Sequence, residues 1–363
     1  MKVLIVGAGI AGSALAYWLT RHGADVTLVE RTPTPRTGGQ AVDIRGAALT
    51  VADRMGVLDG ARALRTTMRG MSMVDGDGNE IMRSTEETVS AGRLDSDDVE
   101  IGRDDLIGLL ADAARGARHL YGDSVAALDQ DERGVDVVFD GGGRARYDHV
   151  VGADGLHSAV RALTFGPEER LIRHLGMYVS IFTAENVLGL DRWQVWHREG
   201  DAGFGLFSDR DPAVMKVNLG FAAGPIVYDH RDVVQQKRLV EQHCAGLRWE
   251  GARLIKAMWE ADDFYFDAMA QVRMDRWSRG RVTLVGDAGY CASPLSGQGT
   301  SLALVGAYVL AEELAASPEG AFTRYEHRMR PFVAANQALA LENPGQAAAG
   351  ESVARAATAI TID

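Results

Sequence analysis

Along the first thirty residues, apolar runs are separated by glycine. Lys2 to Val6 is a short run rich in β-branched residues that stops at Gly7, the pattern of a buried parallel strand. Ile10 to His22 places Ala, Leu and Trp at helical spacing, and Gly23 supplies its stop. Val26 to Val29 is a second strand, closed by Glu30. Together these predict a β-α-β unit, whose parallel crossover lays a helix on the sheet face.

After the loop Arg31 to Gln40, the pattern predicts a helix from about Ala47 to Met55. Met71 to Met82 alternates around Asp75-Gly76-Asp77-Gly78, which predicts a β-hairpin. Thr85 to Glu100 is polar and acidic and reads as a surface excursion. Arg103 opens a helix whose early aspartates suit the positive end of its dipole. Val125 to Tyr147 holds three short strands, and Asp148 to Gly152 is one more apolar strand. From about Leu171 to Trp277 the chain changes character. Five of the six tryptophans fall there, with alternating segments such as RWQVWHRE and VMKVNLGF that predict an antiparallel sheet. Val233 to Gln242 reads as helix. Arg281 to Val285 is a further strand, followed by a glycine-rich loop and a helix from Thr300 to Leu314. From Pro331 the chain is alanine-rich and helical, with a break at Asn343-Pro344-Gly345. No internal repeat is visible.

Length changes the picture first: 363 residues exceed one usual compact domain and suggest two that share an interface. The formal net charge of -12 makes nucleic acid and anionic membranes poor partners. The two cysteines, Cys244 and Cys291, form neither a disulfide framework nor a metal cluster, which suits a reducing, cytoplasmic setting. The apolar N-terminus reads as strand and helix rather than signal peptide, and no other stretch approaches the roughly 20 apolar residues of a membrane span. His157, His174, His197 and His243 show no metal-ligand spacing, so structural roles and no metal are expected.

Gly7, Gly9 and Gly12 form G-x-G-x-x-G between the strand and the helix, with Ile10 and Ala11 inside the motif. The first glycine permits the tight turn, the second admits a pyrophosphate, and the third allows close packing of helix on strand. The helix N-terminus then offers free N–H groups to phosphate. Glu30, about twenty residues on, is placed to accept ribose hydroxyls. These residues alone fit NAD and FAD equally.

Two later motifs separate the possibilities. One is Gly152-Ala153-Asp154-Gly155-Leu156-His157-Ser158-Ala159-Val160-Arg161; the other is Gly286-Asp287-Ala288 with Pro294 and Gly297-Gln298-Gly299. With the glycine motif and Glu30-Arg31, and in this order, they make the chain resemble the aromatic-hydroxylase family of flavoprotein monooxygenases. That is the p-hydroxybenzoate hydroxylase type, and among its members the chain looks most like the tetracycline-modifying monooxygenases. The resemblance covers nearly the whole length. It implies an α/β fold with a Rossmann-type FAD-binding domain, a second antiparallel-sheet substrate domain and a C-terminal helix. The FAD-binding domain would be discontinuous, 1–70, 98–170 and 278–330. Residues 71–97 and 171–277 would form the substrate domain, and 331–363 the C-terminal helical segment.

In this family the second motif, here with Asp154, helps to bind FAD and the nicotinamide nucleotide. The aspartate of the third, here Asp287, contacts the ribityl chain. Arg36, Asp43 and Arg103 also match family positions that meet the flavin or the nucleotide, with Arg45 a lesser candidate. A helix starting near Thr300 suits negative charge on the reduced ring. The chain departs from the family where Gly289-Tyr290 and Thr300-Ser301 stand in the third motif. The resemblance implies NADPH or NADH as reductant, O2, and a flavin hydroperoxide that hydroxylates an aromatic or polyketide-like molecule, in a monomer or homodimer. It names no catalytic acid or base. Most of the tryptophans, with Phe204 and Phe221, read as core, whereas alternation points Gln194, Trp196 and Phe207 toward the flavin. Epoxidation or halogenation on the same scaffold, or flavin and drug binding without turnover, are the competing readings. Trp193-Gln194-Val195-Trp196 does not match the W-x-W-x-I-P of flavin halogenases.

Overall fold

The apolar run at the N-terminus lies in the middle of a sheet, where both faces are covered. Lys2–Val6 pairs in parallel with Asp25–Glu30 on one side and with His149–Gly152 on the other. The full order is Ser278–Arg279, Val282–Leu284, His149–Gly152, Lys2–Val6, Asp25–Glu30 and Arg118–Tyr121. Only the outermost pair, Ser278–Arg279 with Val282–Leu284, is antiparallel. Parallel neighbours need crossovers, so segments far apart in sequence end in one layer with their C-terminal ends aligned. The computed structural model describes residues 1–34, 39–90, 92–342 and 350–362.

The helix Gly299–Ala316 is the hub of the first core. Ile10–Arg21, Ala47–Arg54 and Ala321–Glu342 pack around it, and Leu304, Val305, Val309 and Leu310 are fully buried. A helix walled on every side is apolar all round. It is long and apolar enough, by length and composition, to cross a bilayer, yet 78% of it is buried inside the protein. This corrects the expectation that no stretch beyond the N-terminus reaches such a composition. Gly306 on this helix makes room for the buried Tyr290, whose hydroxyl would lie 1.9 Å from a Cβ there and accepts a hydrogen bond from the Tyr325 hydroxyl at 2.9 Å. Tyr290, one of the departures from the family pattern, therefore has its own socket.

The second sheet has seven strands, in the order Tyr265–Val272, Ile172–Glu185, Val214–Ala222, Ala202–Phe207, Trp193–Glu199, Gly70–Val74 and Glu80–Ser84. It is antiparallel as expected, except that Trp193–Glu199 runs parallel to Gly70–Val74. The hairpin around Asp75–Gly78 comes from much earlier in the chain, and its direction of approach has no local signal. A separate core built on Tyr178, Phe182, Phe204, Leu206 and Phe221 lies under two helices, Val233–Cys244 and Gly251–Glu260. The second helix has no counterpart in the sequence reading. Trp277 is buried as expected of core, but Trp259 is 36% exposed at the surface, against that expectation.

The three strands between Val125 and Tyr147 form their own small sheet beside the first. At the other end of the chain, helix Ala321–Glu342 runs through Pro331 rather than starting at it. The predicted break at Asn343-Pro344-Gly345 lies outside the described residues. Helix Gly350–Ala357 docks on the preceding one, with the Asn336 side-chain amide donating to the Ala356 carbonyl at 3.2 Å. Both cysteines are free and buried.

Alanine normally stabilises a helix over glycine by about 1 kcal/mol. At position 306 we expect the opposite: Gly306→Ala lowers stability by roughly 1–3 kcal/mol through overpacking against Tyr290. Adding Tyr290→Phe recovers part of the loss. Urea unfolding of the two variants checks both signs.

Candidate active site

Glycine holds open the turn between Val6 and Ile10. Gly7 takes φ +104°, and a Cβ there would lie 2.5 Å from the Ala153 carbonyl oxygen. A Cβ on Gly12 would lie 1.9 Å from the Gly7 carbonyl oxygen, so only glycine lets the helix begin this close to the strand. Gly9 differs: among the described residues nothing comes within 4 Å of its missing Cβ. It faces open space, where a pyrophosphate can reach the backbone. Ile10 is half-buried and Ala11 buried; the helix they begin has no acidic residue in its first turn and no side-chain cap. An anion there meets uncancelled N–H dipoles.

Glu30 is fixed beside this turn. One of its oxygens accepts the Ala8 N–H at 2.9 Å; the other accepts the Thr32 N–H at 3.0 Å and the Thr32 hydroxyl at 3.1 Å. A carboxylate held in this way beside the turn is placed to meet ribose hydroxyls. Arg31 follows, exposed. Arg36 lies outside the described residues.

The two later motifs close on the first. A Cβ on Gly286, at φ +66°, would come 2.9 Å from the Ala11 Cβ. Arg161, wholly buried, donates to the Ala288 carbonyl at 3.0 Å and to that of Leu156. It bolts the second motif to the third, a role that its spacing in the sequence does not reveal. Asp154 also turns inward. Its oxygens accept the Ser158 hydroxyl at 2.5 Å and the Val160 N–H at 3.1 Å, which orders the start of helix Ala159–Phe165.

Asp287 heads a short helix, Asp287–Tyr290, just past the end of Val282–Leu284. It is open to solvent, as is Tyr265, while the protein packed around the two raises the pKa of both side chains. Arg103, half-buried, acts electrostatically on both. Pro294 is exposed at the start of the turn Pro294–Ser296, Gly297 takes φ +62°, and Gly299 and the buried Thr300 begin the hub helix. Between them Gln298 is fully buried, and among the described residues neither its Nε2 nor its Oε1 has a partner. Each unmet buried polar group costs about 1–3 kcal/mol. Such an amide fits a ligand edge that both donates and accepts, which the pyrimidine edge of a flavin does. The residues present therefore fit FAD.

A second set of residues continues from this end. Asp43 and Arg45 follow one another in strand Ala41–Ile44 and the turn after it, with Arg45 Nη2 at 3.0 Å from Asp43 Oδ2. The Arg45 N–H donates to the Ser301 hydroxyl at 3.1 Å, which gives that departure from the family pattern a purpose. Arg45 also donates to the Ser90 carbonyl at 3.3 Å, and the Ser90 hydroxyl donates to Glu100 at 2.6 Å. Glu100 stands opposite Asp43 in the strand pair. Burial pushes the Asp43 carboxyl up to about 7, with Arg45 opposing and Glu100 adding to the rise. Its Oδ1 has no partner among the described residues.

The three residues expected to face the flavin join this network. Gln194 donates to the Ser90 hydroxyl at 2.5 Å and accepts from Trp196 Nε1 at 3.1 Å. Trp196 meets Phe207 edge to face, 5.2 Å between ring centres. Gln194 and Phe207 are directly opposed across the strands, and Gly205 clears space for the Trp196 ring. Trp196 and Phe207 are half-buried and can line a cavity; Gln194 is fully buried with its amide in use. This corrects its place: it orients Trp196 from behind. Asn218 extends the same cross-strand row through Gly205, its Oδ1 buried without a partner among the described residues. Its alternation with Lys216 in VMKVNLGF was the available signal.

Comparison with known proteins agrees with this geometry. The pattern of the FAD binding domain family matches residues 1–338. An uncharacterised protein of Mycobacterium tuberculosis is 48% identical over 353 residues, covering 96% of this chain and 95% of that protein. A flavin-dependent monooxygenase from an unknown prokaryotic organism is 41% identical, covering 93% of this chain and 88% of the relative. The crystal structure of tetracycline destructase Tet(51) superposes with a TM-score of 0.91 at 35% identity, covering 100% of this chain and 99% of that one.

Two outcomes follow from the buried polar groups. Gln298→Leu leaves the FAD-free chain as stable or more so, while FAD binding weakens at least roughly tenfold, read by flavin fluorescence titration. Between pH 3.8 and about 7 the folded chain holds a proton at Asp43 that the unfolded chain releases, so this group's contribution to stability falls as pH rises through that window. Asp43→Asn removes the slope. Wild type should lose up to about 4 kcal/mol relative to the variant across it, measured by urea unfolding at stepped pH.

Proposed function

Because the chain belongs to the FAD binding domain family of flavin-dependent monooxygenases, using FAD with NAD(P)H and O2, we propose that it hydroxylates an aromatic, polyketide-like small molecule. Tetracyclines are the first class to test. The observation that carries this reading is the continuous path from the aromatic pair Trp196–Phe207, through Gln194 and Ser90, to the Arg45–Asp43 pair beside the hub helix. A flat, polar-edged ring system matches such a wall: rings to pack on, and buried polar groups near by to orient its oxygens.

When bound, FAD would supply the redox chemistry of hydride acceptance and dioxygen activation. The chain's own residues do the rest. The N–H groups around Gly9 would hold the pyrophosphate and Glu30 the adenosine ribose. Asp287 and Gln298 would hold the flavin half, with Arg103 balancing charge there. Trp196 and Phe207 set the plane of the substrate and exclude water from its reacting face. Burial pushes the Asp43 carboxyl up to about 7, so it can exchange a proton with a ligand oxygen at physiological pH.

The test uses the FAD-loaded chain in air with NADPH or NADH and a panel of phenols, quinones and tetracyclines. The expected result is that one of these stimulates nicotinamide oxidation and gains an oxygen atom in step with it. Stimulation that yields only hydrogen peroxide would overturn the reading, as would a substrate that gains halogen or an epoxide instead. With the accepted substrate, Trp196→Ala should raise KM roughly tenfold, the size expected for about 1–1.5 kcal/mol of lost ring contact.

A further inference from the structure

Beside the second motif, four chain segments bring titratable side chains together. His157 comes from the motif's own turn, and Glu168 from the turn Glu168–Arg170. His230 lies in the loop after Val214–Ala222, and Asp267 in strand Tyr265–Val272. His157 Nδ1 is 3.1 Å from Glu168 Oε1, and His230 Nε2 is 3.8 Å from the same oxygen. One ligand atom from each of the three lies within 4.8 Å of the others. The two imidazole rings are 3.7 Å apart, centre to centre.

We propose that His157, His230 and Glu168 form a binding site for a divalent transition-metal ion, of the class of Zn2+. Two nitrogens and one carboxylate oxygen are a borderline donor set, suited to Zn2+ and its neighbours rather than to Mg2+ or Ca2+. Tetrahedral ligands of zinc stand about 3.3 Å from one another, so the triad reaches that geometry by small side-chain rotations. The surroundings fit too. Asp267 sits 3.2 Å from His157 Nε2, the carboxylate–histidine arrangement that fixes a ligating tautomer and turns Nδ1 toward the metal. Asp267 is itself held by the Tyr228 and Tyr265 hydroxyls, each at 3.2 Å. Arg161 Nη2 lies 3.4 Å from Glu168 Oε2, which leaves Oε1 to face the histidines. The side chains are 30–39% exposed, so water can fill the remaining coordination position.

The rival occupant is a proton. Burial pulls His157 down, but its bonds to Asp267 and Glu168 outweigh that and hold it up at about 9. At neutral pH a metal ion must therefore displace that proton. An occupied site would tie the turn of the second motif to the second sheet, joining the nucleotide-binding layer to the layer that carries Trp196 and Phe207.

The experiment uses the tag-free, FAD-loaded full chain, stripped with chelator and titrated with Zn2+ against a competing indicator dye, with Mg2+ as control. The expected result is one Zn2+ per chain with a Kd on the order of 1 μM or tighter, no response to Mg2+, and at least a tenfold loss of affinity in His230→Ala and in Glu168→Gln. Co2+ should give the intense visible absorption of a low-coordinate site, lost in His230→Ala. His230 lies near the surface and outside the cofactor cleft, so this variant should keep its flavin, which verifies its fold. Zn2+ binding weaker than about 100 μM, or binding unchanged in both variants, would overturn the site and leave a proton-held ion pair.

Discussion

Everything at this active site depends on three turns approaching more closely than side chains would allow. Gly7 packs against the Ala153 carbonyl, Gly12 against the Gly7 carbonyl, and Gly286 against Ala11. A methyl group at any of the three would overlap its neighbour or force the backbone apart. Arg161 then locks the later two turns by its bond to the Ala288 carbonyl. The consequence is geometric. A turn near residue 9 and a loop near residue 298 are thereby held in one assembly, where each can take one end of a long dinucleotide. Glycine at Gly9 serves the opposite purpose, leaving a gap for the ligand.

That division explains which parts of the molecule could be read from sequence. Glycine motifs encode backbone approach directly, so the β-α-β unit, the strand before Asp287 and the start of the hub helix were legible to within a residue or two. Alternation placed Trp196 and Phe207 on one face because period two is a property of any half-buried strand. It did not show that Gln194 lies one layer deeper, since burial depth depends on what covers the strand. Ser90, the residue that buries its amide, comes from the excursion that sequence described only as polar.

Other misses have the same cause. The parallel pairing of Trp193–Glu199 with Gly70–Val74 joins segments more than a hundred residues apart, and no local pattern sets its direction. The hub helix has the composition of a membrane span because it is enclosed by three other helices, which composition alone cannot distinguish from lipid. Residues 157, 168 and 230 have no recognisable ligand spacing; they meet only because the second motif abuts the second sheet. Asp154, read as a cofactor contact, also shapes the turn that carries its motif, which its spacing did not reveal.

The central claim is that one ligand is gripped from two ends by parts of the chain that meet through those glycine turns. Affinity of the FAD-free chain for FAD, compared with ADP and with FMN, tests it most directly, because each fragment can occupy only one end. Two-ended binding predicts that FAD exceeds either fragment by roughly a hundredfold to ten-thousandfold. If FMN or ADP alone binds as tightly as FAD to properly folded protein, the two ends do not act on one molecule and the account fails.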